Sequence, residues 1–157
     1  MLVKPHNILS RPVEDKDINR VYDEAKEIYK IFGKKIGMYN MFFAIAHQQT
    51  TKDDPLRFFV INPKAKIAEE LPEAIIINPE IIRHTNNTID SEEGCLSFPT
   101  LPPNVVQRWN KCEVRFKVML ENKQISGWQT MNLSGMLAKV FQHEIDHLDA
   151  KYIYDFK

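Results

Sequence analysis

The residues most able to do chemistry lie in the segment QHEIDH, at positions 142–147. On a helix, residues four apart lie on the same face with neighbouring Cβ atoms, so His143 and His147 can bind one metal ion through their imidazoles. Glu144 lies beside His143 and can reach a water molecule held on that ion. The pattern favours two metal ligands and a general base. The alternative is a solvated helix face on which two unrelated histidines produce the same sequence pattern.

A catalytic metal site of this type has three protein ligands and one open position for water. Residues 148–157 contain neither His nor Glu, so we expect the third ligand upstream. Cys95 is the strongest choice, because thiolate is a strong ligand for a borderline-soft cation and Gly94 lets the backbone bend close to a site. The other candidates are Cys112, His84, His47, His6 and several carboxylates.

Helices and strands must position these ligands. Apolar periodicity predicts a first helix over residues 14–32 and a last helix over residues 133–148. Between them, the pattern predicts strands at residues 56–61 and 74–78, the second ended by Pro79, and a hairpin formed by residues 113–120 and 124–133. Strands clustered between two helices indicate the α+β class.

Length and composition bound the remaining possibilities. The 157 residues are enough for one domain with a real core, and we expect a single domain over residues 1–157. Lys+Arg and Asp+Glu balance at 21 each, which gives no global field for nucleic acid or an anionic membrane. No apolar run is long enough to span a bilayer and no signal-peptide stretch opens the chain, so we expect a cytoplasmic protein.

Two motifs together resemble those of the peptide deformylase family: EGCLS at residues 93–97 and HEIDH at residues 143–147. The resemblance covers roughly residues 38–148. It implies an α+β fold with small antiparallel or mixed sheets packed around a C-terminal metal-binding helix. It also implies one divalent metal ion, natively Fe²⁺ and readily replaced by Zn²⁺ or Ni²⁺, with Cys95, His143 and His147 as its ligands.

The resemblance assigns further roles around the ion. Glu144 matches the general base. A first family motif, which ends in glutamine, falls on residues 44–48. It makes Gln48 the side chain that stabilises an oxyanion, together with the backbone N–H of Leu96. The substrate cleft is expected to be lined by Phe43, Gly94, Met136 and Val140.

Three charged residues resemble the family's support for the metal site. Glu93, Arg108 and Asp146 would brace the cysteine loop against the last helix, and metal sites generally need such bracing. The alternative is that Arg108 is a plain surface cation.

Two places depart from the family pattern. Met41, Phe42 and Phe43 stand where the first motif has small residues, so they either narrow the substrate cleft or turn into the core. Lys139, one turn before His143, stands where an apolar pocket-lining side chain is usual. Its ammonium group either reaches outward to solvent or meets an acidic or carbonyl group of the substrate.

The function implied by the resemblance is removal of the formyl group from N-formyl-methionyl peptides. The resemblance implies that these substrates are nascent chains at the ribosome. Because the first motif is divergent, a related amidase with altered acyl or side-chain specificity is an alternative. A second alternative is a metal-binding homologue that binds peptide ends without turnover. A zinc endopeptidase is disfavoured, since residues 148–157 lack the downstream ligand that such enzymes use.

Overall fold

The computed structural model describes residues 2–37, 42–71 and 73–154. Its helices are α1 (Ile18–Ile31) and α2 (Gly135–Leu148). Its strands are β1 (Ala44–Ala46), β2 (Phe58–Ile61), β3 (Ile75–His84), β4 (Thr88–Glu93), β5 (Asn104–Trp109), β6 (Lys111–Val118) and β7 (Gln129–Ser134). Among the described residues, no helix is long and apolar enough to cross a membrane.

The strands form two antiparallel sheets. The larger sheet has five strands in the order β1-β2-β3-β6-β7, and β4 pairs with β5 in a separate two-stranded sheet. In sequence, α1 precedes all the strands and α2 follows them, so the helices do not alternate with the strands. The predicted α+β class is therefore confirmed.

The five-stranded sheet separates two apolar cores. Successive side chains of a strand point to opposite faces, so Phe59 packs with α2 while Phe58 packs with α1. On the α2 side, the ring of Phe141 lies 5.1 Å from that of Phe59 and 5.6 Å from that of Phe116, measured between centroids. Full burial of one such side chain contributes about 1.5–3 kcal/mol, so these contacts hold α2 firmly on the sheet.

A positive-φ glycine joins the last strand to the helix that carries both histidines. Strand β7 ends at Ser134 and α2 begins at the next residue, Gly135, whose φ is 61°. Glycine adopts this left-handed conformation without steric cost, so the chain changes direction in a single residue. The helix is thereby fixed directly to the edge strand of the sheet.

The prediction that Pro79 ends a strand is wrong, because β3 continues through it to His84. Its pairing with β6 shifts register between Ile77 and Glu80, and Asn78 has a φ of 52°. Such a bulge tolerates a proline that lacks an N–H group. The side chain of Asn78 supports the bulge by bonding both the N–H and the carbonyl of Val13.

Other boundaries differ by a few residues. Helix α1 begins at Ile18, after a 3₁₀ turn over Asp15–Asp17, and not at residue 14. The predicted hairpin exists as β6 and β7, but β7 begins at Gln129, since the preceding residues form a turn and an isolated bridge from Met119 to Ile125.

Candidate metal centre

Three side chains, of which Cys95 and His147 are buried and His143 is half-buried, converge at the face of α2. Cys95 lies in the loop that follows β4, while His143 and His147 lie one turn apart on the helix. The Nε2 atom of His147 is 3.5 Å from Cys95 Sγ and 2.9 Å from His143 Nε2. The three ligand atoms all lie within 4.8 Å of one another. One thiolate and two imidazoles at these distances can hold a single divalent cation.

The other ring nitrogen of each histidine has its own acceptor. His143 Nδ1 is 2.7 Å from Glu93 Oε1, and His147 Nδ1 is 3.2 Å from the carbonyl oxygen of Lys151. These acceptors favour a proton on Nδ1 of each ring, so Nε2 is the nitrogen that each ring directs toward Cys95 and toward a bound cation. Burial holds the pKa of His147 well below its ordinary value, so that ring is a neutral ligand at pH 7.

The expected ion-pair network around Arg108 is present. Its guanidinium donates to both carboxylate oxygens of Glu93, at 2.9 and 2.7 Å, and to Asp146 Oδ2 at 2.6 Å. The Arg108 side chain is only 7% exposed, so it is not a plain surface cation. Because Glu93 also bonds His143, one carboxylate ties the cysteine loop to the helix.

Glu144 is buried beside this cluster. Its Oε2 atom is shielded from solvent and has no hydrogen-bond partner among the described residues. Burial raises the pKa of Glu144 to about 7. An orphaned buried acceptor needs a donor, and a water molecule on a cation at the Cys/His/His cluster would supply one. The donor set and this orphan oxygen together fit a catalytic metal site.

A cavity of about 210 Å³ opens onto Glu144 and Cys95. Leu96 lies in its wall. The residues predicted to line a substrate cleft all border this cavity: Phe43, Gly94, Met136 and Val140. Phe43 and Met136 are 44% and 48% exposed, which places two large apolar side chains where solvent reaches the cavity.

The structure corrects the prediction for Gln48, because its side chain does not reach the cavity. Gln48 Nε2 instead donates to the carbonyl oxygens of His6 and Ile8, at 3.2 and 3.4 Å. The next residue, Gln49, lines the cavity, and its Nε2 lies 4.0 Å from Cys95 Sγ. The predicted register of the first motif was therefore displaced by one residue.

Local structure decides which glutamine faces the site. Residues His47–Gln49 form a 3₁₀ turn directly after β1, so adjacent side chains point in different directions. Gln49 Oε1 accepts the backbone N–H of Ala46 at 2.9 Å, while its Nε2 donates to Ser97 Oγ at 2.9 Å.

The bulky residues of the first motif lie in different places in the structure. Phe42 is buried in the core on the α1 side, although it also borders the cavity, and Phe43 stays half-exposed at the cavity. Met41 lies outside the described residues. Lys139 is half-buried and lines the cavity, so its stem is not simply directed away from the site.

Comparisons with known proteins agree with this architecture. A family model described as polypeptide deformylase matches residues 5–156. The chain is 35% identical over 101 residues to peptide deformylase 1B, chloroplastic, of Oryza sativa subsp. japonica, an alignment that covers 64% of this chain and 35% of that protein. It is 41% identical over 105 residues to a peptide deformylase of Endomicrobium trichonymphae, with coverage of 64% and 54%.

The comparison of structures extends over nearly the whole chain. A crystal structure of peptide deformylase from Plasmodium falciparum matches with a TM-score of 0.74 and 25% identity, and the match covers 99% of this chain and 84% of that one. The fold and the site define an α+β protein with a candidate single-ion centre. The chain belongs to the polypeptide deformylase family. Its alignments span about a third to a half of the length of the curated relatives that it matches.

Proposed function

We propose that this protein is a metal-dependent hydrolase that removes the formyl group from the N-terminal formyl-methionine of nascent polypeptides. The observation that carries the proposal is the Glu144 carboxylate oxygen that has no partner in the described part of the chain. It lies beside the Cys95/His143/His147 cluster, at the wall of an apolar cavity. A general base, a ligand set with room for water and a cleft for a peptide end are what such a hydrolysis needs.

Cys95, His143 and His147 would hold one divalent ion, which we propose is Fe²⁺ in the cell, with Zn²⁺ or Ni²⁺ as substitutes. When bound, such an ion would act as a Lewis acid that lowers the pKa of water, so that a nucleophilic hydroxide is available near neutral pH. Glu93 orients the His143 ring through Nδ1, and the carbonyl of Lys151 does the same for His147. We propose the cytoplasm as the compartment, because free cysteines such as Cys95 and Cys112 are typical of reducing compartments.

Glu144 would move the proton of the reaction. It accepts a proton from the attacking water and passes it to the amine nitrogen as the bond from the formyl carbon to nitrogen breaks. The products are formate and a peptide with a free α-amino group. Burial raises the pKa of this carboxyl group above its ordinary value, which favours its taking up a proton that it later gives to the amine.

Gln49 would stabilise the negative charge that develops on the formyl oxygen. Because the Ala46 N–H fixes Oε1 of this side chain, its NH₂ group is the part that faces Ser97 and Cys95. The backbone N–H of Leu96, directly after Cys95, would be the second donor. One such donor contributes about 2.7–4 kcal/mol to the transition state.

Formate release tests the proposal directly. Protein loaded with Fe²⁺ or Ni²⁺ should release formate from formyl-Met-Ala-Ser and no acetate from acetyl-Met-Ala-Ser. Turnover of the acetyl peptide would indicate the related amidase instead. One equivalent of bound metal with no formate from any formyl peptide would indicate a protein that binds peptide ends without turnover.

Substitution of the two adjacent glutamines should have different effects, one on activity and the other on stability. We expect Gln49→Ala to lower kcat by about 10²–10³-fold, since one oxyanion donor is lost. Gln48→Ala should leave kcat within a few-fold and lower the free energy of unfolding by about 1–3 kcal/mol, since buried carbonyls lose their donor. Steady-state kinetics and urea unfolding measure the pair. A larger kcat loss in Gln48→Ala would contradict the assignment.

Lys139 favours a second version of the function, in which the cavity selects peptides by charge. The residue lines the cavity, and it has no ion-pair partner among the described residues. Its ammonium group would attract a carboxylate in the residue that follows formyl-Met. Contact with an acidic group of the substrate is one of the two alternatives that the sequence left open for Lys139.

Charge reversal tests this preference. We expect Lys139→Glu to change the ratio of kcat/KM for formyl-Met-Asp-Ser over formyl-Met-Lys-Ser by at least about tenfold in favour of the basic peptide. The side-chain charge changes by two units, and one interaction between unit charges is worth on the order of 1 kcal/mol or more near a protein surface. Lys52→Glu makes the same charge change at an exposed position outside the cavity and should leave the ratio unaltered. An equal ratio in all three proteins would rule out selection by Lys139.

A further inference from the structure

The turn His47–Gln49 is anchored by all three of its side chains, each in a different direction. Gln48 bonds the segment that holds His6, and Gln49 bonds Ser97 of the cysteine loop. His47 bonds Glu24 of α1, with Nε2 and Oε1 3.0 Å apart. The site is therefore connected to a helix that packs on the opposite face of the five-stranded sheet from α2.

His47 is completely buried and has a defined tautomer. The backbone N–H of Leu56 donates to Nδ1 at 2.8 Å, so the ring proton must be on Nε2, where it is donated to Glu24. The ring stacks on Phe58 with centroids 4.6 Å apart. Burial lowers the pKa of His47 against the opposing effect of Glu24, and this keeps the ring neutral at pH 7.

Glu24 is in turn held by a series of ion pairs at the surface. Its second oxygen accepts from Arg20 Nε at 2.6 Å, and Arg20 also pairs with Asp54 at 3.0 Å. Asp54 pairs with Arg11, which forms a bidentate pair with Asp17 at 2.9 and 2.8 Å. The Glu24 carboxylate, which accepts the hydrogen bond from His47, is thus held at one oxygen by His47 and at the other by Arg20.

Packing alone does not require these contacts. A phenylalanine or leucine would fill the position against Phe58, but neither would fix the rotation of the turn. The two hydrogen bonds of His47 leave its ring one orientation relative to the backbone of the turn. Gln49 follows two residues later on that same turn.

We propose that the His47–Glu24 hydrogen bond is a positioning contact, which sets the turn so that Gln49 presents its amide to the reacting carbonyl oxygen. This inference rests on the proposed function of Gln49. His47 and Glu24 touch neither the cavity nor the metal ligands, so they act only through the turn.

Kinetics with formyl-Met-Ala-Ser tests the contact. We expect Glu24→Ala to lower kcat about tenfold with KM within twofold, since a misplacement of about 1 Å costs up to 10²-fold. Glu24→Gln keeps an acceptor oxygen for His47 and should recover most of that loss. Glu27→Ala, which removes the Lys30 ion pair from the exposed face of the same helix, should match wild type. A kcat for Glu24→Ala equal to wild type would overturn the proposal.

A double-mutant cycle separates positioning from general destabilisation. In a Gln49→Ala background, Glu24→Ala should lower kcat no further, because the group that it positions is gone. An equal tenfold loss with and without Gln49 would overturn the proposal.

A measurement without turnover separates this inference from the proposed function. In zinc-loaded protein, hydrogen exchange of the Gln49 side-chain amide, followed by ¹⁵N NMR, should be at least tenfold faster in Glu24→Ala than in Glu27→Ala. Equal exchange rates would overturn the positioning role. Absence of formate from every formyl peptide would contradict the proposed function, while the amide exchange still decides whether Glu24 holds Gln49.

Discussion

Glu144→Gln should bind its metal normally and release formate about 10²–10⁴-fold more slowly than wild type, because an amide cannot accept the proton of the attacking water. The side chain is not one of the three clustered ligands, so metal analysis should still find one equivalent. Burial raises the pKa of this carboxyl to about 7 and therefore opposes its charged form. The neutral amide should unfold at the same temperature as wild type or higher.

Two measurements decide whether Glu144 is the base. Metal content and formate release are compared with those of Glu121→Gln, the same chemical change at an exposed turn position. Turnover that survives in Glu144→Gln at a rate near wild type would exclude the assignment. Loss of metal together with activity would instead indicate that Glu144 holds the ion.

Cys95→Ala should weaken zinc binding by more than about 100-fold. Loss of a residue that only supports a ligand costs up to about 100-fold, and loss of a ligand itself should cost more. The thiol lies 3.5 Å from His147 Nε2, and its removal leaves two of the three ligands that the described residues bring together. Competition with a chromogenic chelator measures the affinity. Activity should fall in proportion to the metal that is lost.

The second cysteine is a matched control. Cys112 lies in β6, opposite Leu133 of β7, and is buried in the core on the α2 side, away from the three-ligand cluster. Cys112→Ala should keep the wild-type zinc affinity and lower stability by about 1 kcal/mol, since a small buried group is lost. Similar affinity losses in both variants would remove the distinction between the two thiols.

The sequence indicated the cysteine and histidine positions because helical spacing alone places His143 and His147 on one face. The motif around Cys95 is equally local, and its turn is closed by the bond from the Phe98 N–H to the Cys95 carbonyl. Residues whose geometry is set within four or five positions are those that a pattern can predict.

The side chain of the first motif that faces the cavity was harder to predict, because its direction depends on where strand β1 ends. Strand β1 has only three residues, and a 3₁₀ turn begins at His47, so the alternation of a strand no longer decides which side chain faces the cavity. Two consecutive glutamines and the absence of glycine landmarks then left Gln48 and Gln49 equally eligible. Only the contact with Ser97, almost fifty residues later, separates them.

The course of β3 was unpredictable for a similar reason. Proline normally ends a central strand, and the exception here needs a residue with positive φ, Asn78, as well as a partner at Val13. That partner is 65 positions away in sequence. Asparagine tolerates a positive φ better than most residues, but the contact with Val13 leaves no local signal in the sequence.

The distance along the chain between the metal ligands has a thermodynamic consequence. Cys95 and His147 are 52 positions apart, so an ion bound by both would close a long loop, as a cross-link does. A ligand that binds only the native state adds about 2.7 kcal/mol of stability when its free concentration is 100 times Kd. Loading and folding would then be one coupled equilibrium, in which a shortage of metal makes the whole molecule easier to melt and to digest.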